Sequence, residues 1–173
     1  MNKLKYLGYS IVFQEVPDEV TLAINISGCP HKCEGCHSKY LWEYEGDYIS
    51  NDINDLILKY KGLITCVCFM GGDSAPDEIE TLAWWIKGRY PDLKTAWYSG
   101  KEEIPAGFDI RCLNFIKLGP YREELGGLKG QIRDLIPFGN IRKDFYCKLS
   151  VICKLNNSFL RVTDPNKLCH GRI

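Results

Sequence analysis

What the chain lacks narrows the field first. No apolar run approaches the roughly 20 residues needed to cross a bilayer; the longest, such as Leu63–Met70, stop far short of that. Neither sign of charge is in excess, because 22 lysines and arginines balance 22 aspartates and glutamates. That balance argues for neither a nucleic-acid partner nor a membrane surface. No internal repeat and no low-complexity stretch is present, which excludes solenoid architectures and composition-driven disorder. The N-terminal MNKLKYLGYS has no apolar core of the secretory type, so the expected location is the cytoplasm, where thiols stay reduced. Nine cysteines make an odd count, and at roughly 5% of the chain they fall below the density of a disulfide scaffold. A chain of 173 residues buries about two-thirds of its unfolded surface and needs no covalent staples.

What is present is an alternation of strand and helix signals. Val20–Ile26 (VTLAINI) reads as a strand ending at Ser27-Gly28. Ser50 is expected to cap a helix over 52–60, whose Ile53, Leu56, Ile57 and Tyr60 repeat at i, i+3, i+4, i+7. Ile64–Met70 is an unbroken apolar run, as for a parallel strand covered on both faces, and Gly71-Gly72 closes it. Pro76 suits the first turn of a second helix, which runs to about Arg89 and buries Ile79, Leu82, Ala83 and Ile86. Leu93–Tyr98 and Leu113–Leu118 complete the set, ended by Ser99-Gly100 and Gly119-Pro120. Residues 2–13 read as an extra N-terminal strand and 145–162 as a hairpin turning at Asn156-Asn157. The order predicts an α/β fold of parallel strands. A full eight-fold barrel takes about 250 residues, so the expectation is a partial, open (β/α) barrel with a C-terminal hairpin-like extension. In such a sheet the ends of the strands share one rim, where α/β proteins bind ligands.

Three cysteines lie on that rim within SGCPHKCEGCHS, spaced Cys29-x3-Cys33-x2-Cys36. Thiolates take zinc or iron–sulfur clusters. An odd set of three leaves one corner of a four-iron cubane open, and an open metal position is the mark of chemistry rather than scaffolding. Three other readings stand beside it, the plainest being simple structural thiols, which three cysteines in eight residues argue against. Cys33–His37 fits the C-x-x-C-H haem-attachment pattern, which leaves Cys29 without a role. Zinc held by Cys29, Cys33, Cys36 and His37 requires adjacent residues on one tetrahedral ion. Elsewhere, Cys66 and Cys68 share a strand face and Cys112 stands apart, all expected as core thiols. His31 is expected as a solvated loop residue, Trp84 and Trp85 as packing residues, and Asp77, Glu78 and Glu80 as charges suited to a helix N-terminus. Gly71-Gly72-Asp73 reads either as a ligand-facing strand end or as a turn in which Asp73 or Ser74 caps the next helix.

EVTLAINISGCPHKCEGCHSKYLW, ITCVCFMGGDSAPDEIE, LKTAWYSG and FIKLGPYREELGGL together resemble radical S-adenosylmethionine enzymes, and among them the activating enzymes of anaerobic ribonucleotide reductase. The likeness spans about residues 3–130, implying a radical S-adenosylmethionine domain over 1–130 and a divergent extension over 131–173 packed on it. It implies a [4Fe–4S] cluster on Cys29, Cys33 and Cys36, with the amino and carboxylate groups of S-adenosylmethionine on the fourth iron. Gly35, Cys36 and His37 would line the adenine side, and Gly71, Gly72 and Asp73 would receive the methionine amino group. From their places at neighbouring strand ends, Ser99 and Lys117 are further candidate contacts for the cofactor or a partner, beside the plain readings of a turn residue and a solvated charge. No catalytic residue is implied beyond these ligands. The implied reaction is reductive cleavage to a 5′-deoxyadenosyl radical that makes a glycyl radical on the large subunit of the reductase. A low-potential donor such as flavodoxin or ferredoxin would supply the electron. Alternative readings are a radical enzyme acting on another protein or a small molecule, or a non-catalytic zinc- or haem-binding module. Cys147, Cys153, Cys169 and His170 are candidates for a second metal, at irregular spacing.

Overall fold

A computed structural model describes residues 3–121 and, for the backbone alone, 159–161. Its frame is an open seven-stranded mixed sheet in the order β3-β1-β2-β4-β5-β6-β7. The strands are β1 (Lys5–Val12), β2 (Thr21–Ile26), β3 (Asp47–Tyr48), β4 (Cys66–Met70), β5 (Lys94–Tyr98), β6 (Phe115–Lys117) and β7 (Phe159–Arg161). The central four, β2-β4-β5-β6, are parallel. The edges are antiparallel: β1 on β2, β3 on β1, and β7 on β6. The expectation of parallel pairing holds for the four strands it concerned, and the N-terminal strand, β3 and β7 add antiparallel edges. Residues 101–112 carry only a short 3-10 turn, Ile110–Cys112, where no helix was expected. The rest of the expected hairpin lies outside the described residues.

Two helices, α1 (Ile49–Lys59) and α2 (Pro76–Arg89), are described. Their apolar stripes join one core with Leu22, Ile24, Ile26, Val67, Phe69, Trp97 and Ile116, so both cover the same face of the sheet. Strand alternation sends Cys66, Cys68, Ala96 and Phe115 to the other face, where Val16 packs on them. Among the described residues no helix lies over that second face, and none is long and apolar enough to cross a membrane.

Three local expectations fail for physical reasons. Ser50 does not cap α1. The helix begins at Ile49, directly after β3, and the Ile49 N–H finds the Leu4 carbonyl at 3.2 Å instead. The N-cap of α2 is Ala75, with no side-chain capping bond, so neither Asp73 nor Ser74 caps it. Trp84 and Trp85 lie off the Ile79–Leu82–Ala83–Ile86 stripe and are 42% and 39% exposed. The Lys87 ammonium sits 5.8 Å from the Trp84 ring centre, and Trp85 meets Tyr90 edge-on. Glu78, by contrast, is buried and structural, accepting from the backbone N–H groups of Lys3 and Leu4, which ties the start of β1 to α2.

The core thiols set an alkaline limit on stability. Burial pushes Cys66 up to about 12, with the nearby Glu19 charge adding to it, and burial likewise raises Cys112 to about 12 and Cys68 well above the ordinary value. The ordinary value, which the unfolded chain keeps, is 9.0. A pKa raised on folding gives stability that is full below the unfolded value and is lost as pH climbs from there through the folded one. Between pH 9 and 12 each such thiol should therefore cost about 1.4 kcal/mol per pH unit. Tm measured from pH 8 to 10.5 should fall with increasing steepness. Cys66→Ala should start lower but fall less steeply, and an unchanged slope would contradict the assignment.

Candidate functional site

The register of the parallel strands builds the rim. Asn25 pairs with Met70, Met70 with Tyr98, and Tyr98 with Lys117, so the segments after all four strands leave the sheet at one level. The segment after β2 is the cysteine loop. Its base is pinned by backbone bonds from Gly28 N–H to Glu43 O (3.0 Å) and from Cys29 N–H to Leu41 O (2.9 Å). Between these the chain turns back on itself with Lys32 and Gly35 in the left-handed region, at φ 45° and 68°. Cys29, Cys33 and Cys36 are half-buried free thiols on this excursion. Ser38 N–H donates to the Cys36 sulfur at 3.4 Å. His37 is exposed, its ring edge-on to Tyr121 with centres 5.1 Å apart.

After β4, Gly71 and Gly72 both take positive φ, 96° and 98°. At Gly72 a side chain is doubly barred, because a Cβ would also stand 2.7 Å from Ile79 Cδ1. Gly71 is held on both sides: its N–H donates to Tyr98 O (3.0 Å), and the buried Trp97 indole donates to its carbonyl (2.8 Å). Asp73 follows, buried, and gathers three donors. The Ser99 hydroxyl donates to Oδ1, and the Gly100 N–H (2.7 Å) and His31 Nε2 (3.0 Å) meet Oδ2. A carboxylate offers about four acceptor positions, so one remains, on Oδ1. Ser99 is itself buried and accepts from Lys101 N–H.

His31 corrects the sequence-based expectation. It is no solvated loop residue; it links the cysteine loop to the ends of β4 and β5. Its position between Cys29 and Cys33 was the only local signal of this. At the end of β6, Lys117 is half-buried with its ammonium 4.9 Å from the Tyr98 ring centre, and burial pushes its pKa down. Cys66, Cys68 and Cys112 are fully buried in the core, as expected, and are not part of the rim. The four C-terminal candidates, Cys147, Cys153, Cys169 and His170, lie outside the described residues.

The chemistry of the donor set suits an iron–sulfur cubane. Three soft thiol ligands stand on one turn, unpaired with each other and partly open to solvent. Among the described residues no three His, Cys, Asp or Glu side chains gather as they would around a single metal ion. A cubane makes a different demand, with one thiolate on each of three separate irons.

Comparison with known proteins agrees with this chemistry. Residues 19–104 match the model of a 4Fe-4S single cluster domain. The chain is 32% identical over 109 residues to the anaerobic ribonucleoside-triphosphate reductase-activating protein of Enterobacteria phage T4, an alignment covering 58% of this chain and 70% of that protein. It is 29% identical over 120 residues to the protein of the same name from Escherichia coli, covering 64% of this chain and 66% of that one. No solved structure matches significantly. The matched cluster-domain stretch contains both the cysteine loop and the Gly71–Asp73 and Ser99-Gly100 strand ends, and the chain belongs to the family of anaerobic ribonucleoside-triphosphate reductase-activating proteins.

Proposed function

We propose that this chain is a radical S-adenosylmethionine activating enzyme whose protein substrate is an anaerobic ribonucleoside-triphosphate reductase. The observation that carries the reading is the convergence at one rim of three free thiols, the Gly71-Gly72-Asp73 turn and Ser99. Cys29, Cys33 and Cys36 would hold a [4Fe–4S] cluster with one iron left for the amino and carboxylate groups of S-adenosylmethionine. When bound, the cluster would supply the electron for reductive cleavage of S-adenosylmethionine, the radical chemistry by which a glycine of the reductase would be activated.

The chain's own residues bind and orient. Gly35, Cys36 and His37 would line the adenine, with Tyr121 edge-on to the His37 ring. The Gly71-Gly72 backbone, locked by Trp97 and Tyr98, would let the methionine end approach closely. Asp73 would accept the ammonium at its remaining position, while Ser99 holds the carboxylate in place. The Ser38 N–H, which donates to the Cys36 sulfur, would help hold that ligand in place. Residues 1–130 form this domain in our reading, with 131–173 as an extension packed on it; the pairing of β7 with the edge of β6 supports that packing. A low-potential flavodoxin or ferredoxin would be the donor.

The test is anaerobic. Protein reconstituted with iron and sulfide, reduced, and given S-adenosylmethionine should release 5′-deoxyadenosine. With the reductase present, a glycyl radical should appear in the electron paramagnetic resonance spectrum. One equivalent of tightly held zinc and no cleavage would overturn the reading in favour of a binding module. Cleavage with no glycyl signal would overturn the choice of partner.

A further inference from the structure

We infer that His31 is a positioning residue that sets the cysteine loop against the rim by docking its ring into a socket made by Gly100 and Asp73. The inference rests on the proposed cluster site for its functional meaning, but not for its geometry. His31 Nε2 lies 3.0 Å from Asp73 Oδ2, and an ionised carboxylate only accepts, so the ring nitrogen donates. The ring also lies directly over Gly100. A Cβ built on Gly100 would meet His31 Cδ2 at 2.4 Å, Cγ at 2.9 Å and Nε2 at 2.9 Å, and these are its three nearest neighbours. Gly100 does not occupy the left-handed region, so its backbone does not require glycine; the ring does. The carboxylate that receives His31 is fixed independently by Ser99 and the Gly100 N–H.

Among the described residues, the other fastenings of the loop to the rest of the chain are the Gly28–Glu43 and Cys29–Leu41 bonds at its base and the edge-on contact of His37 with Tyr121 beyond Cys36. Because His31 falls between the first two cysteines, its socket fixes the tip of the excursion relative to Gly71–Asp73. The distance between the cluster ligands and the methionine-binding turn would then depend on a side chain that reaches from the loop to Asp73 and is itself no cluster ligand.

A double-mutant cycle tests this on the apoprotein and on the reconstituted protein. His31→Ala should speed amide exchange across residues 28–38 about ten- to a hundredfold, the loss of one charge-assisted hydrogen bond. Gly100→Ala should do the same by expelling the ring. In the His31→Ala background, Gly100→Ala should add nothing, because the atoms it strikes are gone. His31→Gln, whose amide reaches the same carboxylate, should restore most of the protection. In the reconstituted protein, the change in the cluster's paramagnetic resonance spectrum on adding S-adenosylmethionine should weaken in His31→Ala and Gly100→Ala and return in His31→Gln. Wild-type exchange in His31→Ala, or an undiminished Gly100→Ala effect in its absence, would overturn the socket. If wild-type protein takes up no cluster, the function reading fails, while the apoprotein cycle still decides the socket.

Discussion

Cys33→Ala should leave a folded protein that no longer cleaves S-adenosylmethionine. Cys33 is half-buried on a loop and belongs to neither apolar cluster, so apoprotein stability should shift by no more than about 0.5 kcal/mol. The loss of function should be far larger. Replacing an outer partner of a metal ligand already costs about 10- to 100-fold in affinity or activity; removing the ligand should exceed that, and 5′-deoxyadenosine release should fall to background. Cys29→Ala and Cys36→Ala should behave alike, since three thiolates that share one cubane act as a unit. Cys68→Ala is the control, because it removes a thiol fully buried in the second cluster. It should cost about 1 kcal/mol of stability and leave iron content and cleavage intact. Iron per protein, product release and Tm measured on all four separate the two kinds of cysteine. Full iron and full cleavage in Cys33→Ala would sink the assignment.

The contrast between these cysteines was legible in the sequence, and the reason is local. Cys66 and Cys68 fall in an apolar run stopped by Gly71-Gly72, whereas Cys29, Cys33 and Cys36 fall among Gly, Pro, His and Lys. The same locality made β2, β4, β5 and β6 readable, each an apolar run ended by glycine, and made the α2 stripe readable through its spacing. What was missed depends on distant partners. Ser50 looked like a cap because Ser is a good one, yet it lies inside a helix that already begins at Ile49, whose own N–H is satisfied by Leu4, far back in the chain. The two-residue strand β3, both of whose residues are exposed, has no apolar alternation to announce it. His31 carries no mark of its role, because the groups that define it, Asp73 and Gly100, arrive from two other strand ends. The antiparallel edges were hidden for a related reason: strand signals do not state direction, and only a helix between two strands implies a parallel pair.

Asp73 allows charge and scaffolding to be separated by two substitutions. Asp73→Ala removes an acceptor from Ser99, Gly100 and His31 at once. Stranding buried donors in this way should cost about 3–5 kcal/mol, enough to loosen the rim and confuse any reading of activity. Asp73→Asn keeps the shape. Its carbonyl can face the Gly100 N–H and His31, and its amide can donate to the Ser99 oxygen, which then loses only its own donation. That rearrangement should cost about 1–2 kcal/mol, a fall of a few degrees in Tm. The charge, however, is gone, and a charge-assisted bond to the methionine ammonium is worth about 1.5–3 kcal/mol. The KM for S-adenosylmethionine should therefore rise roughly 10- to 100-fold in Asp73→Asn, with iron content unchanged and protection of residues 28–38 close to wild type. A wild-type KM in that variant would mean that Asp73 serves only as the hub joining His31, Ser99 and Gly100, and that the ammonium is received elsewhere on the rim.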